Sequence, residues 1–185
     1  MNEPRSAARR PSPARAVVRF RPVGVVRSPY IDPADLPPPA LAPPRFFEHV
    51  RGRIEVFDEF APALADLDGF SHIIVLFVFH LAEGFKLKTV PPGQSRPRGI
   101  FSTRSPHRPN PLGLSVLRLH GRTGAALEVS GLDIVDGTPV LDIKPYTPRD
   151  RKTHLRTGWL SRRARPARSS QETPVRHFCY SSGKG

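Results

Sequence analysis

The chain has 185 residues, 23 of them proline, a formal net charge of +13 at neutral pH and one cysteine, Cys179. That length allows one domain with tails or at most two small domains, and a lone cysteine excludes intrachain disulfides and cysteine-based metal clusters. The longest purely apolar run, Ile73 to Phe79, is far too short to span a bilayer as a helix, and the Arg/Pro/Ala-rich start has no apolar stretch of the kind a secretory signal needs, so a cytoplasmic protein is expected.

The excess charge is confined to the ends. Residues 1–22 carry +5 and residues 149–185 carry +8, whereas in 23–148 thirteen basic residues meet thirteen acidic ones. Basic, Pro/Ser/Arg-rich ends bury too little apolar surface to repay ordering and are expected to be mobile. They are also suited to RNA contact through counterion release. The expected organisation is therefore a basic N-terminal tail (1–22), one folded domain (23–148) and a basic C-terminal extension (149–185).

Along the neutral segment the pattern is that of strands. Ala16 to Val26 mixes Val and Phe with Arg and ends at the turn signal Ser28-Pro29. Asp32 to Pro44 is proline-rich and reads as an extended loop. Arg51 to Phe57 alternates apolar with charged residues, as a half-buried strand does. Pro62 to Asp68 reads as one short helical turn. Phe70 to His80 is a continuous apolar run that predicts a central strand buried on both faces. Glu83 to Arg98 reads as a polar loop. Leu114 to His120, Ala125 to Val129 and Val140 to Ile143 complete the series. Short strands between Gly/Pro turns predict a mainly β protein, a single-sheeted antiparallel barrel with basic tails. No strand leads into G-x-G-x-x-G and a helix, and neither a P-loop nor a G-x-S-x-G elbow occurs, so Rossmann, P-loop and serine-nucleophile chemistry lack support. His72 and His80 have no partner at metal-ligand spacing, and no metal site is expected.

Two segments carry chemistry. In GIFSTRSPHRPNPLG (Gly99 to Gly113), Pro106, Pro109 and Pro111 each fix φ and push the preceding residue out of the helical region. A stiff loop results, either a braced turn between strands or a support holding Arg104, His107, Arg108 and Asn110 in fixed directions. In GLDIVDGTPVLDIKPY (Gly131 to Tyr146), Asp136-Gly137 suits a β-hairpin turn. Asp142 and Lys144 should share one face, opposite Leu141 and Ile143. Such a face reads as a lined pocket, and equally as a surface ion pair.

These two motifs, together with FSHIIVLFVFH (Phe70 to His80) and GVVRSPY (Gly24 to Tyr30) in this order, resemble the TsaA-like family over about residues 23–148. The resemblance implies a homodimeric antiparallel barrel that binds S-adenosylmethionine without a Rossmann fold. The implied activity is methylation of the exocyclic nitrogen of threonylcarbamoyl-adenosine beside the tRNA anticodon. By motif position the implied cofactor-binding residues are His80, Leu81, Arg104, Leu114, Gly131, Leu132, Asp133 and Ile134. Arg108, Asn110, Lys144 and Tyr146 are expected to face the tRNA substrate. Asp136, with Asp142 second, is the candidate base on carboxylate chemistry. Two departures stand out. The family's usual Pro-Arg-Gln stretch is replaced by LPPPALAPPRFFEHV (Leu36 to Val50), and the C-terminal domain of longer bacterial members gives way to GWLS (Gly158 to Ser161) and an arginine-rich tail. These leave two alternatives to the enzyme reading: a non-catalytic S-adenosylmethionine- or RNA-binding module, and a methyltransferase with another acceptor.

Overall fold

The structure, a computed structural model, describes residues 17–37 and 45–160. Its chain divides into two compact units, Met1–Thr147 and Pro148–Gly185. In the second, the described residues form a 3-10 turn at Pro148–Asp150 and lead to a turn at 158–160. The first unit is built on six strands: β1 (Gly24–Arg27), β2 (Arg51–Val56), β3 (His72–Val78), β6 (Leu112–Thr123), β7 (Ala126–Ser130) and β8 (Pro139–Pro145). They close into one antiparallel barrel in the order β1-β2-β7-β6-β3-β8. Between β3 and β6 a two-stranded ribbon, β4 (Lys88–Thr89) with β5 (Arg98–Gly99), stands apart from the barrel sheet.

Closure follows from the period-2 pattern. Val26, Ile54, Ile73, Val75, Leu117, Leu127, Val129 and Val140 are buried to within 1% and fill the interior from every strand. Each such side chain removes apolar surface from water worth about 1.5–3 kcal/mol. Six strands leave a narrow lumen, and the backbones come close enough that Gly52 is required. A Cβ there would lie 2.2 Å from the Arg27 carbonyl oxygen and 2.4 Å from Leu132 Cδ1. Leu64 and Leu67, from 3-10 turns at Asp58–Leu64 and Leu67–Gly69, join the same core.

Several expectations change in the folded chain. Residues 17–23 form no strand, so β1 is shorter than the apolar stretch suggested. The loop expected at 83–98 contains β4 and ends at β5. β3 is buried on its inner face only: outward-facing Ile74, Leu76 and Val78 are half-buried, because nothing in the described chain covers them. Asp136-Gly137 does not turn a hairpin, since β7 and β8 lie three places apart in the barrel and Leu132 to Val135 crosses between them unpaired with β8. Much of the expected 32–44 loop, and most of both basic tails, lie outside the described residues.

Candidate functional site

The proline loop is built against the segment that follows β3. The Phe79 N–H donates to Pro111 O at 2.7 Å, His107 Nδ1 donates to Glu83 O at 3.1 Å, and the Lys86 N–H donates to His107 O at 3.2 Å. Within the loop, Arg108 Nη1 donates to Thr103 O at 3.2 Å, and the Thr103 hydroxyl donates to Ile100 O at 2.8 Å. Arg108 thus spends part of its donor set bracing the loop. Arg104 is exposed and makes no hydrogen bond or ion pair among the described residues. His80 and Leu81 sit in the tight turn after β3, where the His80 N–H donates to Val78 O at 2.8 Å. Leu81 is 52% exposed. Asn110 is exposed, and its carbonyl accepts from the Leu112 N–H at 2.7 Å. His80, Leu81, Arg104, Arg108 and Asn110 therefore belong to one hydrogen-bonded arm at the exit of β3.

The second part of the site follows β7. Gly131 adopts φ +93°, a left-handed conformation that turns the chain off the strand at little steric cost. Its N–H donates to Val50 O at 3.0 Å. Leu132 and Ile134 then point into the core, at 0% and 2% exposure. Both residues are packed away whole, so within Leu132 to Ile134 only half-buried Asp133 is open to a ligand. Among the described residues the N–H and C=O groups of Asp133 and Ile134 make no hydrogen bond. Orphaned backbone groups of this kind want partners. Half-buried Asp133 is held in place by Ser115, whose hydroxyl donates to Asp133 Oδ1 at 2.7 Å. Sequence reasoning missed this clamp, because a serine and an aspartate eighteen residues apart announce no contact. Leu114, next to Ser115, is 49% exposed on the outer face of β6.

The two candidate carboxylates both have structural partners. Asp136 Oδ1 accepts the Ser28 N–H at 2.9 Å, and Oδ2 lies 3.6 Å from Arg27 Nη1. Arg27 is engaged more closely by Glu55, at 2.7 Å. Asp142 Oδ1 accepts the Ile143 N–H at 2.9 Å, and Oδ2 is 2.5 Å from Lys144 Nζ. Asp142 and Lys144 do share the outer face of β8, while Ile143 packs against the core. Strand register sets Leu114, Leu76 and Asp142 side by side, with Val116, Ile74 and Lys144 in the next row. Tyr146 follows, its N–H donating to His72 O at 3.0 Å and its ring edge-on to His72 at 6.3 Å.

A closed antiparallel barrel of six strands, with no parallel sheet among the described residues, defines the class: single-sheeted antiparallel barrels. Within that class the chain belongs to the TsaA-like family, since the profile of the tRNA-methyltransferase O N-terminal domain matches residues 25–150. It is 44% identical over 129 residues to an S-adenosyl-L-methionine-binding protein of Archaeoglobus fulgidus, covering 70% of this chain and 89% of the relative. It is 37% identical over 140 residues to the tRNA (adenine(37)-N6)-methyltransferase of Escherichia coli, covering 70% of this chain and 58% of that enzyme. A crystal structure of TrmO from Pseudomonas aeruginosa superposes with a TM-score of 0.62 at 37% identity, over 77% of this chain and 62% of that one. The chain thus spans the A. fulgidus relative nearly in full but less than two thirds of the bacterial methyltransferase chains.

Proposed function

We propose that the protein is an S-adenosylmethionine-dependent methyltransferase that modifies the exocyclic nitrogen of threonylcarbamoyl-adenosine beside the tRNA anticodon. The observation that carries this reading is the run of unbonded backbone groups at Asp133 and Ile134, next to the Ser115–Asp133 clamp. It occurs in a chain whose relatives are named as binding S-adenosyl-L-methionine or methylating tRNA adenine. The unbonded N–H and C=O groups of half-buried Asp133 can meet the polar edge of adenine. A guanidinium without an internal partner, Arg104, suits the carboxylate of the methionine moiety through a bidentate pair. Exposed Leu81 and Leu114 offer the apolar contact that a ligand of this size needs.

When bound, S-adenosylmethionine supplies an activated methyl group. The chain's part is to orient it in line with the acceptor nitrogen, to hold the nucleotide through Asn110, Lys144 and Tyr146 with the second fork of Arg108, and to take the amide proton. Asp136 is assigned that last task and Asp142 stands second, both on carboxylate chemistry. Acting on tRNA places the protein in the cytoplasm, and no helix among the described residues is long and apolar enough to cross a membrane.

We also assign a homodimer. Leu112, Leu114 and Val116 are 37%, 49% and 44% exposed, and register sets them opposite Val78, Leu76 and Ile74. An outward apolar face six residues broad on a monomer marks an association surface. A second copy covers it with the same face across a two-fold axis.

Calorimetry with S-adenosylmethionine, followed by methyl transfer to tRNA bearing threonylcarbamoyl-adenosine, tests the reading. Micromolar binding with transfer is the expected result. Arg104→Ala should weaken binding about ten- to a hundredfold, the worth of a charge-assisted hydrogen bond. Binding without transfer to any tRNA would leave a non-catalytic module, and no binding would remove the cofactor assignment.

A further inference from the structure

A second cluster of chemistry-bearing groups lies on the outer surface of the barrel, beyond the apolar face. Arg51 of β2 stands opposite Ser130 of β7, Ser130 opposite Arg118 of β6, and Arg118 opposite His72 of β3. Residues directly opposite one another in an antiparallel ladder point to the same side of the sheet. One row around the barrel therefore presents two guanidiniums and an imidazole outward. His120, two residues beyond Arg118, shares that face, and its Nε2 bonds the Ser130 hydroxyl at 2.9 Å. Ser130 is only 3% exposed beneath it. With His49 and the acidic Glu48 these residues line a cavity of about 580 Å3.

The cluster carries more basic than acidic groups. Neither Arg51 nor Arg118 makes an ion pair among the described residues, in contrast to Arg27 with Glu55, Arg21 with Glu59 and Arg122 with Asp68. The nearby acids are Glu48, already 3.9 Å from Arg45, and Glu128 on β7. Like charges held in one cross-strand row destabilise the sheet unless an anion joins them. Such an arrangement contributes to a fold mainly when it has something to bind.

We propose that this row, Arg51–Ser130–Arg118–His72 with His120, is a phosphodiester-binding track that holds the RNA backbone as its target base reaches the methyl-transfer site. The proposal rests on the RNA-acceptor reading above and adds to it the surface that carries the strand. Three features favour an RNA chain over a single small anion. The cavity is broad and open, and its polar groups come from four separate strands. Tyr146, edge-on to His72, adds an aromatic ring on which a base can stack. The track is also continuous with the candidate site: Gly131 lines the cavity and opens the cofactor segment, and Lys144 lies one row from His72 on the adjoining strand. A strand lying on the row leads to the acceptor position.

The test uses the full chain, with unmodified and threonylcarbamoylated tRNA binding measured from about 50 to 300 mM KCl. The Arg51→Ala/Arg118→Ala double variant is compared with the wild type, and Arg21→Ala serves as a control cation elsewhere. Losing two phosphate contacts should cut the slope of log affinity against log salt by roughly two and weaken binding about ten- to a hundredfold at 100 mM salt. Calorimetric affinity for S-adenosylmethionine should stay at the wild-type value, which also reports that the variant is folded. If the alanine pair does not fold, Arg51→Gln/Arg118→Gln replaces it, with the same expected loss. A double variant matching the wild type in affinity and slope overturns the track while leaving the acceptor reading intact. A wild type that binds no tRNA even at the lowest salt overturns both.

Discussion

At the scale of single residues, Asp136 shows how a carboxylate assigned to chemistry can also carry local structure. It accepts the Ser28 amide at 2.9 Å and stands 3.6 Å from Arg27, which Glu55 already holds. An Asp136→Asn side chain keeps an oxygen for Ser28 and gives up only a partly exposed ion pair, so stability should change by less than about 1 kcal/mol. Asp136→Ala orphans the amide and should cost about 1–3 kcal/mol. If Asp136 takes the acceptor proton, Asp136→Asn lowers kcat about a hundredfold or more with unchanged cofactor affinity, read by single-turnover methylation. An unaltered pH–rate profile would transfer the role to Asp142. His120 makes a second prediction. Desolvation against buried Ser130 lowers its pKa below the ordinary 6.5, repulsion from Arg51 and Arg118 adds to this, and Glu128 opposes it. The folded protein then binds this proton less readily than the unfolded chain. Its contribution is fully present above about pH 6.5 and is lost as pH falls from there through the lower folded value. His120→Gln should flatten that part of the curve of Tm against pH.

The elements show where a period-2 pattern is sufficient and where it fails. β2 falls within one residue of the alternating stretch at 51–57, because a half-buried strand writes its period directly into the sequence. β4 and β5 were not legible, since two paired residues on each side leave no period to read. The Asp136-Gly137 turn misled for a different reason: the dipeptide favours a reversal but says nothing about which strand lies on the other side. Barrel closure also makes a prediction about β2. Gly52→Ala drives a methyl group into the Arg27 carbonyl, a backbone atom that cannot swing aside. A loss of about 1–3 kcal/mol is expected, seen as a lower urea midpoint at unchanged m-value.

For the molecule as a whole, one apolar face and one cationic row divide the outer surface of β3 and β6. The apolar residues occupy Leu112 to Val116 and the charged ones begin at Arg118, so the proposed association surface and the proposed RNA track would use adjoining stretches of the same two strands. Leu114→Lys places a charge at the centre of the apolar face. It should convert the dimer to a monomer by sedimentation equilibrium with little change in monomer stability, because Leu114 is half exposed before association. A dimer that persists in this variant would move the interface elsewhere.

The residue pattern alone determined the mainly β barrel class, and it marked out the charge-balanced segment and the proline-stiffened loop around Arg104. These are local properties: alternation, proline stiffness and charge clustering act over a few residues and need no knowledge of partners. Only the tertiary structure decided that Asp133 is clamped by Ser115, that Leu132 and Ile134 are buried in the core, and that Arg51, Arg118 and His72 stand in one row. Those relations depend on register between strands distant in sequence, and register is set by which inner faces pack together when the barrel closes.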